Sequence, residues 1–263
     1  MIGIFDSGVG GMTVARAIEQ ICPGYPLVYF GDIARTPYGS KSPGTIVRYS
    51  RSNTDFLLDQ GASLIVIACN SASSTASDAL RSHYQVPILD VITPATREAA
   101  GVTRSGRIGI IGTRATVKSG IYTAKIREIL PEAEVFSQPC PLLVPLVEEA
   151  WLSRRETKMI LRRYLHPLRL HAIDTLVLGC THYPLLKHMI GPRIGRRVNL
   201  IDSSVEMARE VRRFLDANPH LEKSLRAARS TPSRFYVSDT TEAVENLAAR
   251  IFGRPLHLEK IDV

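Results

Sequence analysis

Two thiols close apolar runs that read as buried strands: Cys69 ends "LIVIAC" and Cys180 ends "TLVLGC". Each is followed at once by small polar residues, Asn70-Ser71 in one case and Thr181-His182 in the other. A single cysteine so placed is more often a small core residue than a reactive one. Two of them, at matching places in similar segments, ask for a chemistry that uses two sulfurs. Disulfide exchange normally brings its cysteines together as Cys-x-x-Cys, and no such motif occurs here. A Cys-His hydrolase needs one nucleophile. Cys180 and His182 would make half a zinc site, but the second ligand pair is missing. Proton transfer at a stereocentre does need a donor and an acceptor, one on each face of a carbon. Cys22, in "ICPGYP", and Cys140, in "QPCPLL", end no such strand and read as structural.

The other strand ends carry related groups. The first apolar run stops at Asp6-Ser7 and passes into Gly8, Gly10 and Gly11; the second stops at "GDIARTPYGSKS"; "IIGTRAT" offers Thr113 and Thr116. In open parallel sheets ligands bind outside the carboxyl ends of the strands, where following helices also present unpaired N–H groups. Such an opening suits a carboxylate or a phosphate. The "SGVGG" turn, with Asp32 after the next strand, is close to a dinucleotide fingerprint. Counted from Gly8, however, the third glycine position holds Thr13, so the match is incomplete.

The elements that must hold these residues follow an alternating pattern. Nine short β-rich runs ("MIGIF", "PLVYF", "SLIVIA", "VPILDV", "RIGIIG", "AEVFS", "TLVLG", "VNLID", "RFYVS") are separated by helix-length amphipathic segments such as "GGMTVARAIEQI" and "PGTIVRYSRSNTDFLLDQ". The pattern predicts an α/β protein of mainly parallel sheets covered by helices, with strands apolar on both faces. There is an internal echo. "IGIIGTR" follows "IGIFDSG" by 106 residues, and Cys180 follows Cys69 by 111. Two matches in the same order point to two similar lobes facing one cleft. The expected division is residues 1–96, residues 97–207, and a C-terminal segment 208–263 returning to the first lobe. Within that segment "DANPHLEKSLRAARSTPSR" reads as a mobile polar connection.

The 263 residues suffice for two such lobes with real cores. The N-terminus enters a strand without a basic or apolar leader, and no run of about 18 apolar residues occurs, so a cytoplasmic protein without membrane or secretory segments is expected. Its four cysteines should then be reduced. The net charge of +8 invites a nucleic-acid reading. The cations are scattered through segments such as "ILRRYLHPLRLH", and aromatics make up only 6% of the chain, so stacking partners are scarce. A solvated cationic surface, with no nucleic-acid or membrane partner and a modest pull on anionic substrates, is the expectation.

Six segments, "IGIFDSGVGG", "GDIARTPYGSKS", "ACNSAS", "GTRATVKSGIY", "LVPLVEEA" and "DTLVLGCTHYPLL", occur in the order and spacing of the glutamate racemases. The chain resembles that family over most of its length. The resemblance implies cofactor-independent interconversion of L- and D-glutamate, supplying D-glutamate for bacterial peptidoglycan, by an enzyme that is often a homodimer. It implies Cys69 and Cys180 as the acid/base thiols, assisted by Asp6 and His182 respectively. Substrate contacts would come from Asp6, Ser7, Pro37, Tyr38, Gly39, Ser40, Asn70, Ser71, Thr113, Thr116, Thr181 and His182, with Glu149 a further acidic neighbour. No metal is implied. One departure is Ser71, where the family commonly has threonine; the hydroxyl stays and a methyl is lost.

The chemistry is demanding, because a free thiol has a pKa of about 8.5 and is mostly protonated at neutral pH. Helix N-termini and a protonated His182 would favour thiolate, while Asp6 would act as a proton acceptor. Aspartate racemisation, or a two-lobed module that binds an anion without turning it over, are the rival readings.

Overall fold

The structure, a computed structural model, describes residues 1–262. In chain order the strands are β1 (Ile2–Asp6), β2 (Leu27–Gly31), β3 (Leu64–Ile67), β4 (Ile88–Asp90), β5 (Arg107–Gly112), β6 (Glu134–Pro139), β7 (Thr175–Gly179), β8 (Asn199–Asp202), β9 (Arg234–Val237) and β10 (Glu259–Lys260). The helices are α1 (Met12–Ile21), α2 (Pro43–Asp59), α3 (Asn70–Arg81), α4 (Ile92–Val102), α5 (Arg114–Ser119), α6 (Ile121–Ile129), α7 (Leu143–Glu148), α8 (Arg155–Leu170), α9 (Lys187–Ile194), α10 (Ser203–Ala217), α11 (Pro219–Ala227) and α12 (Glu242–Phe252).

The strands form two parallel sheets, ordered β10-β9-β2-β1-β3-β4 and β6-β5-β7-β8. The stretch β2-β1-β3-β4 and the whole second sheet share one connectivity, which is the physical content of the sequence echo. β1, β2, β3 and β7 are buried at every position, as strands covered by helices on both faces must be. In each sheet the strand order reverses between neighbours, at β1/β3 and at β5/β7. A crevice opens at such a switch point. Asp6-Ser7 and Cys69 flank the first crevice; Thr113 and Cys180 flank the second.

Helix α1 packs on α10, and α12 packs on both α1 and α7, tying the two sheets together. β9 lies against β2, so the C-terminal residues complete the first sheet. The polar segment expected as a mobile connection is instead largely helical. Pro219 starts α11, and Leu225 is buried while the polar residues around it face solvent. Proline at the first helical position and one buried leucine suffice to order a segment whose composition reads as loop.

Candidate active site

Burial sets the character of the first wall. Asp6 is fully buried; its Oδ2 accepts the Gly8 N–H at 3.0 Å and its Oδ1 accepts the Thr181 hydroxyl at 3.3 Å. Burial pushes its carboxyl up to about 6, opposed by the His182 charge and by the N–H groups of Gly8 and Gly11. Cys69 is the N-cap of α3: its sulfur accepts the Ala72 N–H at 3.5 Å, and the thiol lies 3.5 Å from the Ser7 hydroxyl. Burial first, and then the Asp6 carboxylate, push the Cys69 thiol up to about 12, with the Ser7 and Ala72 contacts pulling the other way. Cys69 therefore rests as a neutral thiol.

The second wall is built differently. Cys180 follows β7, and its sulfur lies 3.8 Å from His182 Nδ1; His182 Nε2 lies 3.1 Å from Glu148 Oε1. Burial alone would lower the imidazole pKa. The contacts with Cys180 and Glu148 overcome that and push it up to about 10, so His182 is an imidazolium at neutral pH. The Tyr183 hydroxyl donates to the Cys140 carbonyl at 2.9 Å and holds the turn after His182.

Two contacts hold these walls close. Besides the Thr181–Asp6 bond, Thr13 donates its hydroxyl to the Thr181 carbonyl at 3.0 Å. A Cβ on Gly10 would stand 2.5 Å from the His182 ring. Close approach of the walls is what Gly10 serves, while a Cβ on Gly11 would stand 2.3 Å from that of Asp6. An ionised Cys180 also acts on Cys69 through space, raising its pKa, so the sulfurs share one electrostatic neighbourhood. Both thiols are 5% exposed, and all four cysteines are free.

Asn70 and Ser71 occupy the first turn of α3. Asn70 Oδ1 accepts the Tyr122 hydroxyl at 2.7 Å, while its buried Nδ2 has no partner among the described residues. Ser71 and Thr113 share a hydrogen bond of 2.8 Å, and Thr113 Oγ1 lies 3.1 Å from Thr116 Oγ1 while capping α5. Pro37, Gly39, Ser40 and Thr113 line a cavity of about 290 Å³ together with Glu148. Gly39 is there for room: a Cβ would stand 2.7 Å from that of Thr113.

Tyr38 is placed otherwise than its side chain invites. Its phenol is fully buried and bonded to Asp32 and Asn53, while its neighbours Pro37 and Gly39 line the cavity. Asp32, which follows the second strand where a dinucleotide fold would hold a ribose, is held by Arg35 at 2.7 Å and by Ser238 at 3.1 Å, in keeping with the incomplete fingerprint. The acid on His182 is Glu148, the last residue of α7; Glu148 and Glu149 together line a second cavity of about 190 Å³ with Gly8, Val9, Thr36 and Val244. Adjacent residues on a helix point about 100° apart, and sequence alone leaves open which of "EE" faces inward. Tyr122 and Glu148 are the groups sequence reasoning missed, although both lie inside segments it had singled out.

The family model described as Asp/Glu/Hydantoin racemase matches residues 2–211. The chain belongs to that racemase family. A glutamate racemase from Geobacter metallireducens is 46% identical over 255 residues, covering 97% of this chain and 93% of that protein. The crystal structure of a glutamate racemase isoform from Bacillus anthracis superposes with a TM-score of 0.93 at 34% identity, covering 100% of this chain and 97% of the other. A Francisella tularensis glutamate racemase, crystallised in complex with D-glutamate, gives a TM-score of 0.89 at 35% identity, over 99% and 97% of the two chains. The fold and the family of this racemase are thus shown over its whole length.

Proposed function

We propose that this racemase interconverts L- and D-glutamate by passing protons between Cys69 and Cys180, which would stand on opposite faces of the substrate α-carbon. The observation that carries the reading is the pairing of the two sulfurs at equivalent strand ends, bridged by the Thr181–Asp6 bond. The complex of the F. tularensis glutamate racemase with D-glutamate supports the choice of amino acid. In the forward step the sulfur of one wall takes the α-proton, and the electron pair is left on the α-carbon. The opposing thiol then gives its proton to the other face. Each turnover leaves the accepting sulfur protonated and the donating sulfur bare, the reverse of the starting state.

The resting charges assign the first roles. Cys69 carries its proton and is the donor; Cys180, beside the His182 imidazolium, is the acceptor. When substrate of the other hand arrives, Asp6 relieves Cys69 of its proton and the roles reverse. The α-proton is far less acidic than a thiol, so most of the barrier must fall through preorganised donors around the substrate carboxylate. The free Asn70 Nδ2 and the hydroxyls of Ser71, Thr113 and Thr181 are suited to that, and the burial of both sulfurs excludes water. Residues 1–96 and 97–207 are proposed as the lobes that open to admit substrate. A cytoplasmic homodimer supplying D-glutamate for peptidoglycan is the proposed setting.

The test is L-glutamate in D₂O with no added cofactor. Deuterium at the α-carbon, with circular dichroism decaying to zero, is the expected result. Exchange of aspartate with silence toward glutamate would overturn the substrate. Unchanged ligand binding by Cys69→Ala and Cys180→Ala, with no exchange in the wild type, would favour a mere binding module.

A further inference from the structure

We propose that the outer face of α8 docks on an anionic phospholipid bilayer. The inner face of this helix is buried through Leu161, Leu165 and Leu168. At 100° per residue, Arg155, Lys158, Arg162, His166 and Arg169 fall within an arc of about 80° that borders the buried leucines, a row about 21 Å long. All five are exposed, as are Arg154 before the helix and Arg163 beside the row. Among the described residues no side chain of these arginines or of Lys158 makes a hydrogen bond or ion pair, and Glu156 is the only acid in the helix. Helix α10 shows the alternative, with Arg209, Arg212 and Arg213 each held by an acid of its own helix. Unpaired cations along one helix face are free to meet an external anion.

The same region holds three of the five large exposed hydrophobics: Trp151 at 40%, Met159 at 61% and Leu170 at 72%. Met159 and Leu170 lie along the flank of the cationic row by the same helical geometry. A straight row of cations with apolar tips beside it matches a bilayer surface, where cations meet headgroup phosphates and the tips enter the acyl boundary. Charge complementarity selects this occupant. A second copy docked two-fold through this face would oppose two cationic rows, and a nucleic-acid groove offers nothing to the exposed methionine and leucine. No helix among the described residues is long and apolar enough to cross a membrane, so the association is peripheral. The expectation of a merely solvated surface, with no membrane partner, is revised for this helix.

Trp151, the one tryptophan of the chain, lies just before α8 and reports on the contact. The full-length protein is mixed with vesicles of equal parts phosphatidylglycerol and phosphatidylcholine, or with vesicles of phosphatidylcholine alone. Cosedimentation with the anionic vesicles only, lost at high salt and accompanied by a blue shift of Trp151 emission, is expected. The charge-reversed K158E/R162E/R169E protein should bind at least about tenfold more weakly, with racemase activity unchanged. If reversal costs activity, the neutral R162Q/R169Q pair replaces it, with a loss of about threefold or more. Absence of vesicle binding, equal binding to neutral vesicles, indifference to these substitutions, or displacement by a duplex DNA oligonucleotide at equal charge concentration would overturn the proposal.

Discussion

Cys69 and Cys180 end equivalent strands of two sheets with one connectivity, yet their neighbours carry opposite charge. Cys69 faces the Asp6 carboxylate and a neutral hydroxyl; Cys180 faces an imidazolium backed by Glu148. The shared connectivity puts the two thiols at equivalent strand ends. The divergence of their surroundings sets a neutral thiol beside a carboxylate on one wall and a thiol beside an imidazolium on the other. Symmetric walls would leave both protonated or both bare, and neither state inverts a stereocentre.

Removing either sulfur breaks the comparison outright. Cys69→Ala and Cys180→Ala should each lower racemisation by about 10⁴-fold or more, measured by circular dichroism. Deuterium wash-in should survive with one enantiomer only, a different one for each variant. Exchange of the same enantiomer in both variants would disprove opposed faces.

Changing the helpers tests whether the walls are unequal. Asp6→Asn and His182→Asn should each cost about 10²–10³-fold in kcat/KM. The equilibrium constant between enantiomers is one, so kcat/KM must fall equally in both directions. The inequality appears instead in the primary isotope effect, which should rise in opposite directions of reaction for the two variants. Equal isotope effects in both variants would remove the division of labour.

The pH profile sharpens the same point. Asp6, raised from the ordinary carboxylate range to about 6, loses its ionised form as pH falls through that value. An acid limb in kcat/KM near pH 6 follows, and it should vanish in Asp6→Asn. His182, raised to about 10, keeps its proton until pH rises through that value, which sets an alkaline limb. Glu148→Gln removes one of the interactions holding that proton, so the alkaline limb should move to lower pH with a loss of about tenfold in rate. Glu149→Gln, one residue on, should leave rate and limb within about twofold. A shift in the second variant and none in the first would reverse the assignment.

The least disruptive probe is alkylation. Cys69 holds its proton to about 12, so iodoacetamide at pH 8 should modify Cys180 first, as read by peptide mass mapping, with glutamate protecting both.

Much of this arrangement is visible in the sequence, and the reason is periodicity. Uninterrupted apolar runs closing on Asp6, Cys69 and Cys180 identify buried parallel strands and put those residues at the open ends. The repeated order of "IGIFDSG" and "ACNSAS" in "IGIIGTR" and "GCTHYP" carries the two sheets. Where rotation about a helix axis or a side chain's choice of partner decides, the sequence misleads. It left 216–234 without its helix, and gave no sign that Arg35, Tyr38 and Ser238 hold Asp32 or that Glu148 reaches His182.

The sequence by itself determined which residues end the strands, because burial on two faces leaves only apolar side chains and makes every polar terminus conspicuous. Only the tertiary structure decided the charges at those termini. The imidazolium of His182 and the neutral thiol of Cys69 depend on burial and on contacts between residues far apart in the chain. Such effects fall off over a few ångströms of space, and separation along the chain does not measure that distance.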